Sequence, residues 1–353
     1  MTFVSVLSSL LYLMVSAALL VQTAQARRRV QEANVTTLPL VSDARWARAY
    51  ALFAAFLGIW MLVWPYTGGL LASIGGAAAT YACGRISLSR RSLTPNVASR
   101  WETLWAKVPH HLQPSTWILL AAAALTTIAL EIPWNTVFPL VWPHAVLIEL
   151  VLIFLFLQAL FALSLGHGIA AAIGAGIITS IGIIQAFVID FKGAVLSIGD
   201  LFAFSTAISV GGGYAYQLDS RMLVGMAFGE LAVLLCSLIY DEPGAPAIQR
   251  SAVLGWLGRG GIVLALLAGA VLLPDYQTQL AIKVDYWWEW QLLNHEHYCF
   301  FPSFIAEAQD LPIDQPKGYS TAAAANAERD LVALFEQSSA TSTQARAAQA
   351  QWD

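Results

Sequence analysis

Residues Ala145–Ile189 read AVLIELVLIFLFLQALFALSLGHGIAAAIGAGIITSIGIIQAFVI. The stretch holds one acid, Glu149, and neither lysine nor arginine. A helix needs about 20 apolar residues to cross roughly 30 Å of hydrocarbon. Two such helices fit here, Ala145–Leu165 and Ala170–Ile189, with His167 in the short turn between them. A hairpin of two membrane spans is therefore the unit from which the rest of the chain is read.

Six further apolar runs flank it. Their approximate limits are Phe3–Val21, Ala47–Trp64, Gly69–Cys83, Thr116–Leu130, Met222–Leu238 and Gly261–Leu273. The third span of the chain, Gly69–Cys83, and the eighth are short. The third is also rich in Gly and Ala, so it is either re-entrant or packed closely on a neighbour through Gly75 and Gly76. Composition agrees with this count. Of 353 residues 58 % are hydrophobic and only 11 % charged, against about 25 % charged in a soluble domain. The net charge of -4 provides no basic field, which excludes a nucleic-acid binder. An all-α, polytopic transmembrane bundle is the expected fold class.

Basic residues orient the spans. Arg27, Arg28, Arg29, Arg45 and Arg48 lie between spans one and two, and Arg85, Arg90, Arg91, Arg100 and Lys107 between three and four. Arg250 and Arg259 lie between seven and eight. The positive-inside rule makes these three connections cytoplasmic and both termini extracytoplasmic, as expected of a multi-pass plasma-membrane protein. Ala24-Gln25-Ala26 resembles a cleavage site, but the basic cluster follows the apolar run instead of preceding it, so the first span is read as retained. From Asp275 onward eleven acids face four bases, and Trp287, Trp288 and Trp290 mark an interfacial segment. A polar helix and a flexible end are expected after Thr321. The domain reading is 1–114 as a three-span addition, 115–274 as a five-span core with a loop at 190–221, and 275–353 as linker and tail.

Candidate chemistry is sparse. In the 190–221 loop, Asp190, Phe191, Lys192, Gly193, Asp200, Tyr214 and Arg221 are candidates to meet a lipid headgroup, with Lys192 and Arg221 suited to phosphate. The alternative is that the loop charges pair with one another. Glu149 and Glu230 are acids inside spans, able to bind a cation, relay protons or hold helices together. His295 and His297 share a face only on a strand, and no further histidine lies nearby to complete a metal set. The three cysteines, Cys83, Cys236 and Cys299, read as buried small hydrophobes. No nucleophile stands at a suggestive spacing from a base, so no catalytic centre is expected.

Two segments carry a family resemblance. FKGAVLSIGDLFAFSTAISVGGGY, Phe191 to Tyr214, resembles the outer loop of lipoteichoic-acid-synthase-like phosphoglycerol transferases through Phe191, Gly193, Leu196, Asp200 and Leu201. Lys192 stands where that family carries arginine, keeping the charge but not the planar fork. YCFFPSFIAEAQDLPIDQPKGYS, Tyr298 to Ser320, resembles the family's linker through Phe301, Ser303, Phe304, Pro316, Gly318, Tyr319 and Ser320. The resemblance implies a lipid-presenting membrane anchor. It also implies an extracytoplasmic sulfatase-like domain with a threonine nucleophile and a divalent metal, usually manganese. The sequence ends at Asp353, before such a domain, so no catalytic residue and no cofactor is carried over. The expected partners are membrane lipids and a sulfatase-like catalytic domain on another chain. A transporter or lipid-handling protein without this kinship, motivated by Glu149 and Glu230, and a non-catalytic regulator of envelope synthesis are the alternatives.

Overall fold

The computed structural model describes residues 3–32, 39–93, 114–138, 140–202, 214–239, 250–280, 282, 288–310, 320, 322, 325–333 and 335. All regular structure among them is helical: α1 (Phe3–Glu32), α2 (Pro39–Val63), α3 (Leu70–Leu93), α4 (Pro114–Glu131), α5 (Pro143–Leu163) and α6 (Gly168–Lys192) are followed by the short α7 (Ile198–Phe202). Then come α8 (Ser220–Leu238), α9 (Arg250–Leu272), α10 (Tyr276–Leu280), α11 (Trp288–Tyr298) and α12 (Phe300–Asp310). Six of these helices, α1, α2, α5, α6, α8 and α9, are long and apolar enough to cross a membrane unaided. The protein is a polytopic helical membrane protein.

Local sequence explains the helix ends. Proline opens α2, α4 and α5, where its fixed φ suits the first turn and its missing N–H is no loss. Asp219 caps α8 by accepting the Met222 N–H at 2.8 Å. Gly193, at φ 71°, ends α6 in the left-handed conformation that a residue with a Cβ adopts only under strain.

The eight long helices alternate in direction. At one end of the bundle α1 begins, where the Ser5 hydroxyl donates to the Met61 carbonyl at the close of α2. The same end gathers the Thr67–Leu218 contact, the turn after α4, the α6 C-terminus and α12. The opposite end holds the α5–α6 turn, where Trp256 of α9 packs edge-on against Phe161. The first is called the Lys192 end and the second the Arg85 end.

Two expectations change. The third apolar run forms a continuous helix of 24 residues, and of the two glycines named above only Gly76 is packed, against the Tyr12 hydroxyl, while Gly75 faces open space; Gly84, further along, packs on Leu19. The eighth span is not short: apolar helix runs from Val253 to Leu272. Arg259, placed above in the connection between spans seven and eight, lies inside this helix, its guanidinium 5.0 Å over the Trp256 ring.

The centre of the bundle is α8, which packs on α3, α4 and α6. Lipid is as apolar as leucine, so association inside a membrane depends on close packing and interhelical hydrogen bonds. Both are present. A Cβ on Gly182 would sit 2.5 Å from the Leu130 carbonyl oxygen, one on Gly225 2.5 Å from the Pro133 ring, and one on Gly229 2.4 Å from Thr179. Ser9 donates to the Gly58 carbonyl at 2.7 Å, joining α1 to α2. Outward, Leu52, Ile59, Ile173 and Ile262 are exposed, as a lipid-facing surface requires.

The chain divides into two compact units, Met1–Gln309 and Asp310–Asp353. Residues 275–309, read above as part of the tail, belong to the first, which also takes in α1–α3. The second is helical over residues 325–333.

Backbone-to-backbone contact at Gly182 sets the first prediction. Gly182→Val lowers the melting temperature of the detergent-solubilised chain by the cost of overpacking, about 1–3 kcal/mol. Gly75→Ala leaves it unchanged or raises it, because helix propensity improves by up to about 1 kcal/mol with no clash.

Candidate functional site

Between α2, α6 and α8 runs a cavity of about 900 Å³. Trp46, Phe53 and Trp60 of α2 form one wall, Ile177 and Ile184 of α6 the other, and Val233 of α8 the floor. Trp46 to Trp60 is fourteen residues of helix, or ~21 Å at 1.5 Å per residue. The groove therefore runs through about two thirds of the hydrocarbon depth and is almost wholly apolar. Its polar contacts are Ser180, Thr179 and Glu230. Thr80 of α3 donates to Glu230 Oε1 at 2.8 Å, and the Tyr50 hydroxyl donates to the Glu230 carbonyl at 3.2 Å. Glu230 thus joins α2, α3 and α8.

At the Lys192 end the groove meets an aromatic cluster. Trp60 stacks on Phe187 at 6.4 Å and tilts against Trp64 at 4.9 Å. Phe187 meets Tyr216 at 5.4 Å, Tyr216 meets Tyr214 at 4.9 Å, and Tyr214 meets Phe191 at 5.4 Å. The Trp60 indole N–H donates to the Tyr216 carbonyl at 2.7 Å, fixing the loop strand over the groove mouth. Rings with one polar tip suit a water–lipid boundary.

The loop charges beside this mouth pair with each other. Lys192 Nζ reaches both Asp200 oxygens, at 2.9 and 2.8 Å. Partial burial works against the Asp200 carboxylate, but the Lys192 ammonium and the Ser197 N–H and hydroxyl hold it below the usual range. The Tyr214 hydroxyl donates to Asp190 and is pushed up to about 12 by burial and that carboxylate. Arg221 stands elsewhere: its Nε donates to the Ile132 carbonyl at 2.8 Å and Nη2 to that of Asn135, closing the turn after α4.

A second polar layer docks the segment after the last span. Glu131 and Glu149 are both fully buried. Glu131 Oε1 accepts the Phe300 N–H at 2.9 Å, its Oε2 accepts the Asn135 amide at 2.7 Å, and Glu149 Oε1 accepts the Phe301 N–H at 3.4 Å. These N–H groups open α12, so two carboxylates cap its positive end. Cys299, just before, is at φ 66° and buried; burial and the two carboxylates push its thiol up. Asn135 also donates to the Glu296 carbonyl at 3.0 Å, and the His297 carbonyl accepts from Trp142 N. His295 and His297 lie on one helix, each ring bonded to the carbonyl four residues back, at Gln291 and Leu293.

Residues of both segments that carry the family resemblance reach the main core. Phe300 belongs to the main core, with Phe301, Phe304 and Leu196 packed against it. Ser303 is buried beneath. Glu307 feels Lys192 and Asp200: burial pushes it up to about 7, with Lys192 opposing and Asp200 adding. Burial pushes His295 down to about 4, and its Nδ1 lies 3.8 Å from Glu307. Between these values both groups are neutral, so this is a polar contact and not an ion pair. Ser320 is exposed, and Gly211–Gly213, Pro316, Gly318 and Tyr319 lie outside the described residues.

Sequence reading missed Glu131 and the groove. Glu131 closes an apolar run and is followed at i+4 by Asn135, a polar pair that a wholly solvent-exposed turn does not need. Trp60 and Trp64, one turn apart on a lipid-depth helix, were the signal for the mouth. No protein family, curated protein or solved structure matches the chain.

Docking of α12 should depend on pH in two windows. A carboxyl raised to about 7 stabilises most below its ordinary 4.5 and loses that contribution as pH rises to about 7. An imidazole lowered to about 4 stabilises fully above 6.5 and loses that contribution as pH falls. Glu307→Gln therefore raises the melting temperature at pH 8 by on the order of 2–4 °C. It does not do so at pH 4, and hydrogen exchange over residues 300–310 slows in parallel.

Proposed function

We propose that this protein holds a glycerophospholipid of the outer leaflet and presents its headgroup at the Lys192 end. It would do so as the membrane and linker portion of a lipoteichoic-acid-synthase-like phosphoglycerol or phosphoethanolamine transferase. The observation that carries the reading is the apolar groove itself. It has the length of an acyl chain and ends under an aromatic mouth, at the Lys192 end where residues of both family-like segments reach the core.

Orientation follows from charge. Arg45, Arg48 and Arg85 lie toward the Arg85 end, so the positive-inside rule turns the Lys192 end outward, with the acidic segment after α9. Lys192 is 39 % exposed despite its pairing with Asp200, which leaves part of the ammonium to meet a phosphate. The sulfatase-like domain that the resemblance implies would act at this face, and α12 would set its position over the mouth. The intramembrane acids support holding over transport: Glu149 receives the start of α12, and Glu230 receives Thr80 from α3.

Native mass spectrometry of the delipidated chain tests this. Phosphatidylglycerol should bind more tightly than diacylglycerol of the same chains. Ser180→Trp, which fills the groove, should cut retained lipid about tenfold, worth about 1.4 kcal/mol. Ile262→Trp, on the exposed face of α9, should not. Equal lipid on both variants would remove the groove from the function. Lys192→Gln should abolish the preference for the phosphate-bearing lipid while leaving acyl binding intact.

A further inference from the structure

Glu131, Glu149 and Cys299 form a cluster that neither the groove nor the headgroup face uses. All three are buried, and one donor atom from each lies within 4.8 Å of the other two. Glu131 is satisfied at both oxygens, by Phe300 N–H and the Asn135 amide. Glu149 is less well served: Oε1 takes a long bond from Phe301, the carboxyl also meets the Cys299 thiol and Glu131, and Oε2, shut off from solvent, has no hydrogen-bond partner among the described residues.

Charge is equally uncompensated. The nearby guanidinium of Arg221 is spent on the carbonyls of Ile132 and Asn135. Two adjacent buried carboxyl groups need either a shared proton or a positive charge in contact with them. Donor chemistry narrows what supplies it. A thiol beside two carboxylates is a poor site for magnesium or calcium, which take oxygen ligands, and a good one for a borderline divalent ion. Zinc bonds to sulfur at about 2.3 Å and to carboxylate oxygen at about 2.0–2.2 Å, which puts its donors roughly 3.5 Å apart in a tetrahedron. The three side chains need to close by only about 1 Å to reach that spacing.

We infer that Glu131, Glu149 and Cys299 bind a zinc-class divalent cation, which fastens the start of α12 to the α4–α5 hairpin. The thiol gives up its proton on coordination. The ion takes the bare Oε2 of Glu149 and bridges Cys299 to the two helices. Cys299 is the hinge residue of the segment, so the cation fixes the direction in which α12 leaves the bundle.

The full-length chain in detergent, loaded with zinc and dialysed, should retain one zinc per chain by elemental analysis. Cobalt loading should give thiolate-to-cobalt charge-transfer absorption. Cys299→Ser should abolish that band, while Cys83→Ser and Cys236→Ser keep it. Glu149→Gln should weaken zinc binding at least about tenfold, the loss that even an outer partner of a metal ligand brings. Helicity and gel filtration verify that each variant folds, and Glu149→Gln read through the cobalt band serves if Cys299→Ser does not. Zinc far below one equivalent in the unaltered chain would overturn the site. So would a cobalt spectrum unchanged by both substitutions; the pair then holds a proton instead.

Discussion

Two N–H groups that open α12, those of Phe300 and Phe301, end on carboxylates fully withdrawn from solvent. The placing of α12 at the Lys192 end depends on this contact. A helix start leaves N–H groups without intrahelical partners, and away from water each needs an acceptor. Here the acceptors come from α4 and α5, so the segment that follows the last span is tied back into the bundle. The helix dipole favours negative charge at that position, and Asn135 stiffens Glu131 while holding the Glu296 carbonyl. The acids are held by the helix as much as the helix is held by them.

From this dock the rest of the helix follows. With its first turn fixed, α12 lays Phe300 and Phe304 in a stacked pair, ring centroids 5.4 Å apart, over the main core. That brings Glu307 within electrostatic reach of Lys192 and Asp200. The loop is fixed independently by the Trp60–Tyr216 hydrogen bond and by Gln185 Oε1 accepting the Leu196 N–H at 2.9 Å. Groove mouth and loop are thus tied together, and the docked helix lies within electrostatic reach of the loop charges.

Much of the fold was legible because the hydrocarbon layer leaves so few options. A long apolar run without charge has to be a helix, and eight runs gave eight helices in alternating directions. Boundaries were less legible where a side chain is amphipathic: Arg259 falls outside the eighth apolar run because a sequence shows its charge but not the Trp256 face beneath it. The site was legible in part. Lys192, Asp190 and Asp200 were named; Lys192 pairs with Asp200, and Asp190 accepts from Tyr214. Arg221 was grouped with them by chain position, yet the fold turns it to the carbonyls after α4. The Glu131–Glu149 pair was not legible, since it depends on how α4 and α5 pack and on where residue 300 returns, a separation that no local pattern records.

The same reasoning bears on what an acid inside a span is for. Glu149 and Glu230 have similar surroundings in sequence, each alone among aliphatic residues, and for both the depth argument alone suggests an ion path. A relay needs its carboxylate to exchange partners along a polar route. Glu230 sits where α8 meets α3, with Thr80 on one oxygen and Tyr50 on its carbonyl, and the groove beside it is lined by leucine, isoleucine and aromatic rings. Glu149 lies under the first turn of α12, covered by Cys299 and Phe301. Neither opens onto a chain of polar groups among the described residues. Each instead stands where two or more helices must be joined without help from the hydrophobic effect, which drives no association in lipid. In such a place a strong, directional polar contact is worth the cost of burying it.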